Sequence, residues 1–224
     1  MEPTRKIYCC DWVTEFLQYI LDTTTEPVSL IICSTRDSFL VNLALTIQSQ
    51  PKHTPNIQEL LKDTIGLLAN STRVRLIFCP TLEHLRAYIG VLRPTNDDNV
   101  QHGTAAGQNQ RPPLVAILNC LALHLPTSEF SAQGLSRTLA AAVEVTSQKG
   151  MDLVLCECRD AASSADPMRG EALWYAQVPL LNSAVRTGGD NAAGGGLTVP
   201  VKSIAQRWFE CSGTSRSETD TTII

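Results

Sequence analysis

Apolar positions change their period several times along this chain, and each change marks an element. The stretches "VSLIIC" (28 to 33), "RVRLIFC" (73 to 79), "PLVAILNCLAL" (113 to 123) and "MDLVLCEC" (151 to 158) are nearly continuous apolar runs. The first, third and fourth suit strands buried on both faces, and the second reads as a strand. Between them the spacing lengthens. Trp12, Val13, Phe16, Leu17, Ile20 and Leu21 recur at helical intervals until "DTTTEP" stops them, and residues 38 to 48 return to the same period. Three further helices are predicted: "NIQELLKDTIGLL" (56 to 68) with Asn56 as N-cap, "TLEHLRAYIGVL" (81 to 92), and "SAQGLSRTLAAAVEVTSQKG" (131 to 150), closed by Gly150. Strands alternating with helices at this spacing predict an α/β fold with a mostly parallel sheet and helices on both faces.

Two stretches interrupt the alternation. Residues 94 to 113, "PTNDDNVQHGTAAGQNQRPP", are polar and carry Gly and Pro, the composition of a mobile loop inserted in a domain. Late in the chain, "QVPLLNSAV" and "TVPVKSIAQRWFEC" read as strands separated by the Gly-rich segment 186 to 196. Pro179 and Pro200 suit edge positions, so a C-terminal antiparallel strand pair is expected. The Ser/Thr-rich residues 212 to 224 are expected to form a disordered tail, leaving one domain over 1 to 211.

With 224 residues, 43% of them apolar, the chain can bury a substantial single core. Its net charge of −4 and pI near 5.6 exclude a global basic field for nucleic acid or anionic membrane. The N-terminal "MEPTRKIYCCDWVTEFLQYIL" places acids among its apolar residues, unlike a signal peptide or membrane span. Of the eight cysteines, Cys33, Cys79, Cys120, Cys156 and Cys158 lie in or beside the apolar runs, as buried reduced thiols do. A reducing compartment is expected.

The stretch "SLIICSTRDSFLVNLAL" (29 to 45) has the outline of a phosphate-binding loop, an apolar strand followed by a polar turn and a helix. Its chemistry is missing. Such a loop needs glycines whose N–H groups turn inward, a Lys for the β/γ oxygens and a Ser/Thr for Mg²⁺. Here the turn is Ser34, Thr35, Arg36 and Asp37, and Asp37 sets a negative charge at a helix start where phosphate would approach.

From Leu114 to Cys158, an apolar strand ending in "LNC", the connection "LPTSEFSAQGLS", an Ala- and Leu-rich helix, a Gly turn and another buried strand resemble the core of RecA-like recombinases. The likeness is to the eukaryotic recombinase paralogs in particular. "WYAQVPLLN" and "VPVKSIAQRWFEC" are similar to that core's closing strands, so the resemblance spans roughly residues 25 to 211. In the family a carboxylate that holds Mg²⁺ follows the strand "LVAIL"; this chain has Asn119. An amide binds a hard cation far less well. Two losses at one site imply a nucleotide fold without its ligand.

Other constellations carry less. Strand alternation puts Cys156 and Cys158 on one face, but no His or further Cys stands at zinc-finger spacing, and core packing is the favoured reading. Adjacent Cys9 and Cys10 are poorly placed to share a metal. His53, His84 and His102 are scattered; His124, just after the third apolar run, is read as a solvated strand-end residue. Glu129 is read as a helix-start acid. Trp174, Tyr175, Trp208 and Phe209 cluster late in the chain and either close the core or anchor a partner.

What the resemblance implies is a non-catalytic RecA-like accessory subunit, similar to the small subunits of the Shu complex, that pairs with another RecA-like paralog to assist homologous-recombination repair. It implies no ATPase activity, no cofactor and no metal, a nuclear or cytoplasmic location, no membrane, and DNA contact only within a heteromer. Trp174, Arg186 and Lys202 are the expected partner or DNA contacts. Two alternatives stand beside it: an Elongator-type scaffold in tRNA modification, and a divergent ATPase.

Overall fold

The computed structural model describes residues 3–23, 26–49, 71–93, 111–163, 168–180 and 197–212. The helix expected over 56 to 68, most of the 94 to 113 insertion, the Gly-rich segment 186 to 196 and the tail beyond Ser212 lie outside the described residues.

Along the chain run β1 (Arg5–Tyr8), α1 (Val13–Thr23), β2 (Val28–Ile32), α2 (Arg36–Ser49), β3 (Val74–Phe78), α3 (Leu82–Val91), β4 (Leu114–Leu118), α4 (Cys120–His124), α5 (Ala132–Gln148) and β5 (Asp152–Cys156). After a 3₁₀ turn at Ala161–Ser163 come α6 (Ala172–Tyr175), β6 (Gln177–Pro179), β7 (Thr198–Pro200), α7 (Val201–Ala205) and β8 (Glu210–Ser212). Six strands form one sheet in the order β3-β2-β4-β5-β1-β8, and every neighbouring pair is parallel. The fold is therefore α/β with a parallel central sheet.

Strand alternation divides the core into two layers. Val28, Leu30 and Ile32 of β2, with Leu114, Ala116 and Leu118 of β4, pack beneath Phe16 and Ile20 of α1 and Phe39 of α2. On the other face Ile31, Val115, Ile117, Leu153 and Leu155 meet Leu85 and Ile89 of α3 and Leu135 and Leu139 of α5. Each such aliphatic side chain contributes roughly 1.5–3 kcal/mol when fully buried. This is why β4 reads as an unbroken apolar run and β2 as one broken only by the small Ser29.

Four expectations need correction. The four-residue β1 was not expected, because "RKIY" has only one fully buried side chain, Ile7, between two charges and a tyrosine. The run 113 to 123 is not one strand: β4 ends at Leu118, where Asn119 takes φ 61 and ψ 38, and the chain turns into α4. Residues 201 to 205 are helical, not extended. Finally, β6 and β7 do pair antiparallel, Gln177 opposite Pro200, but as a separate two-stranded sheet. The last strand, β8, instead joins the main sheet parallel to β1, with Ile7 opposite Cys211.

From β2 the chain moves outward to β3 and then crosses back to β4 on the other side. The carboxyl ends of β2 and β4 thus flank a topological switch point, where open α/β sheets usually take ligands.

Candidate functional site

At the switch point the ends of the strands are laced together. Cys33 N–H donates to Leu118 O at 3.0 Å, and Cys79 N–H to Ile32 O at 2.8 Å. The turn above them closes on itself. Thr35 Oγ1 accepts from Ser38 N–H (3.1 Å) and donates to Ser38 Oγ (2.8 Å), while Phe39 N–H reaches Thr35 O at 3.0 Å. Thr35 is an N-cap for α2, so a side chain occupies a first-turn amide that a phosphate loop would offer to its ligand. Ser34 Oγ donates to Thr35 O at 3.2 Å, and Thr35, Arg36 and Asp37 face solvent.

Asn119 also has a structural task. Its left-handed conformation is one that Asn tolerates better than most residues. Its own N–H donates to Cys156 O at 2.8 Å, and its Oδ1 accepts from Cys158 N–H at 2.8 Å. The Asn119 amide oxygen is thus tied to the continuation of β5.

Glu157, which sequence reasoning passed over, lies beneath α4 and is only 2% exposed. Its Oε1 accepts from Leu121 N–H at 2.6 Å, and its Oε2 has no hydrogen-bond partner among the described residues. Burial pushes its pKa up to about 8, against the opposing pull of the Leu121 and Ala122 amides and Arg169. A buried acid that is largely protonated near neutrality is a packing element with a proton to give. The signal in the sequence was an acid inside an otherwise apolar strand end.

A third cluster sits where β1 and β5 end. Cys10, two residues past β1, meets Cys156 Sγ to Sγ at 3.4 Å and Cys158 at 3.7 Å, and Cys156 and Cys158 are 3.5 Å apart. Cys156 and Cys158 are buried, while Cys10 is half-buried, its Sγ 3.5 Å from Trp12 O. Hydrogen bonds from Cys156 and then Cys158 hold the Cys10 thiol well below its usual pKa. Burial raises Cys156, and the bond to Cys10 raises Cys158. The expectation that Cys156 and Cys158 share a face holds. What adjacency concealed is that Cys9 and Cys10 point to opposite faces: Cys9 packs with the α5 layer, Cys10 with the α1 layer.

The remaining predicted residues scatter. His124 is not solvated: it is fully buried, its Nδ1 3.1 Å from Glu129 O and its Nε2 unpartnered among the described residues. Desolvation lowers its pKa to about 4. The sequence reading failed because α4 turns this residue inward, against Glu129 O and Arg86. Glu129 is an ion-pair hub, reaching Arg86 at 3.0 Å and Arg137 at 3.4 Å. Trp174 is buried in the core and Tyr175 beside it is exposed, so Trp174 presents no anchor on the surface of this chain. Lys202 donates to Tyr175 Oη at 3.1 Å and lies over its ring at 4.9 Å from the centroid. Arg186 lies outside the described residues. Among the described residues no helix is long and apolar enough to cross a membrane.

A family model described as SPAC22G7.03-like matches residues 8–168, which include both the switch point and the thiol cluster. The chain belongs to that family. No curated protein and no solved structure matches it.

Proposed function

We propose that this member of the family is a non-catalytic RecA-like subunit, one that acts by pairing with a second RecA-like protein in homologous-recombination repair in the nucleus. The observation that carries the reading is the self-closure of the switch point: Thr35 caps α2, and Asn119 is bonded to Cys158 N–H. A fold that has turned its ligand pole into internal hydrogen bonds keeps its outer surfaces for association. Tyr175, Leu180 and Leu197 are exposed apolar side chains on the small β6–β7 unit and the helix before it, and Lys202 lies against Tyr175. They offer an aromatic and cationic contact of the kind common at interfaces. With a net charge of −4, DNA affinity would come from the partner's basic surface.

Affinity purification of the tagged full-length chain, followed by mass spectrometry, tests the reading. The expected outcome is a stably associated RecA-like protein. Recovery of Elongator subunits in its place would transfer the proposal to tRNA modification. Micromolar Mg-ATP affinity by calorimetry on the isolated chain would remove its non-catalytic half. In the heteromer, Arg186→Ala with Lys202→Ala is expected to weaken DNA binding and flatten its salt dependence.

A further inference from the structure

We propose that Cys10, Cys156 and Cys158 bind one Zn²⁺ ion, their three thiolates forming one face of a tetrahedron and the fourth position, on the Cys10 side, taking an exchangeable donor such as water. The argument begins with the triangle. Sulfurs bound to one tetrahedral zinc at about 2.3 Å stand roughly 3.8 Å apart. The three edges here are 3.4, 3.5 and 3.7 Å, so one ion fits over the triangle with little movement of the side chains.

Thiols that merely fill a core do not require such an arrangement. Cys33, Cys79 and Cys120 are equally buried in this protein, and among the described residues they form no comparable group. The triangle also has a supporting frame. Asp11 and Arg159 each follow a cysteine of the cluster, and they clamp the two segments together: Arg159 N–H donates to Asp11 O at 2.9 Å, and Arg159 Nε to Asp11 Oδ1 at 3.1 Å. On the other side Asn119 Oδ1 holds Cys158 N–H at 2.8 Å. Groups that orient ligands in this way are a regular part of metal sites. Three thiolates and one Zn²⁺ sum to −1, and the neighbouring Asp11–Arg159 ion pair adds no net charge to that. Soft sulfur donors select zinc over hard cations, and the half-exposed Cys10 gives the ion a way in.

The test is metal loading of the reduced full-length chain. One zinc per chain is expected by elemental analysis after dialysis. Co²⁺ in its place is expected to produce thiolate-to-cobalt charge-transfer bands and the intense visible bands of a tetrahedral site. Cys10→Ser is expected to weaken zinc binding by more than about 100-fold, whereas Cys211→Ser, exposed and on another strand, leaves it unchanged. Where a cysteine variant fails to fold, alkylation of the wild-type protein decides: zinc is expected to protect Cys10 and leave Cys211 reactive. Absence of cobalt–thiolate bands, zinc binding indifferent to Cys10→Ser, or Cys10 alkylated equally fast with and without zinc would overturn the site. Cu(I) in place of zinc in the isolated protein would overturn the choice of metal.

Discussion

The turn from β2 into α2 and the corner where β1 meets β5 stand on the same carboxyl edge of one parallel sheet. In the first, Ser34, Thr35 and Ser38 bond to one another within three residues of sequence. In the second, Cys10 meets Cys156 across 146 residues. The turn carries the outline of a ligand loop and uses its donors on itself. The corner has no outline in the sequence, yet it gathers three soft ligand atoms onto one point. A local motif reports the shape a chain inherits. Long-range convergence reports which chemistry the fold can still perform.

That contrast can be broken or sharpened by measurement. The largest effect is expected on the buried side of the edge, at His124. Its native pKa of about 4 lies below the ordinary value of 6.5. Between those values this imidazole binds its proton in the unfolded chain and not in the folded one, so its contribution to stability falls as pH drops from about 6.5 to about 4. The loss reaches up to about 3 kcal/mol. Arg86 and Glu129 face the ring, and their ion pair is retained across most of that window. Glu157, with a folded pKa of about 8 against 4.5 unfolded, gains stability over the same window. Urea unfolding at a series of pH values is therefore expected to show the His124 loss as a difference between wild type and His124→Gln that grows as pH falls. Equal acid sensitivity in both would mean that the imidazole is not buried as described.

A smaller effect is expected at the joint between the two regions. Asn119→Ala strains a left-handed residue and strips the partner from Cys158 N–H, for a cost of about 2 kcal/mol. Asn119→Gly relieves the strain and keeps only the lost bond, about half of that. Equal costs would show that the lost amide bond, not the left-handed conformation, is what matters. Smaller still, Thr35→Ala at the exposed cap is expected to cost about 1 kcal/mol in the same assay. A neutral result would leave the turn without its proposed self-closure. The smallest effect is none at all: millimolar Mg-ATP is expected to leave the melting temperature unchanged, because a ligand stabilises only a state that binds it. An upward shift would return the β2–α2 turn to the class of working nucleotide loops.

How much was legible follows from range. The apolar runs of β2, β4 and β5 announced themselves, because a strand covered on both faces needs apolar side chains at every position. Thr81 and Ser131, which cap α3 and α5, stand where the helical period begins, and both accept a first-turn N–H. The residue types at Ser34 to Asp37, without glycine or lysine, and the amide at Asn119 were legible too. By contrast, β1 was hidden because four residues with one fully buried side chain carry no periodic signal, and β8 because its pairing partner lies some two hundred positions earlier. His124 was misread for a related reason. Its sequence neighbourhood is a strand end, while its surroundings are Arg86 and Glu129 from other elements.

By itself, then, the sequence determined the alternation of strands and helices, the two-faced burial of the central strands and the absence of glycines and lysine from the turn. All of these depend on residues a few positions apart, through backbone periodicity and side-chain polarity. Only the tertiary structure decided that β1 enters between β5 and β8, that Cys9 and Cys10 part to opposite faces, and that Glu157 and His124 end in the dark. Those outcomes depend on which distant strands pair and in what register, and a one-residue slip of β1 would exchange Cys10 for Cys9 at the thiol cluster.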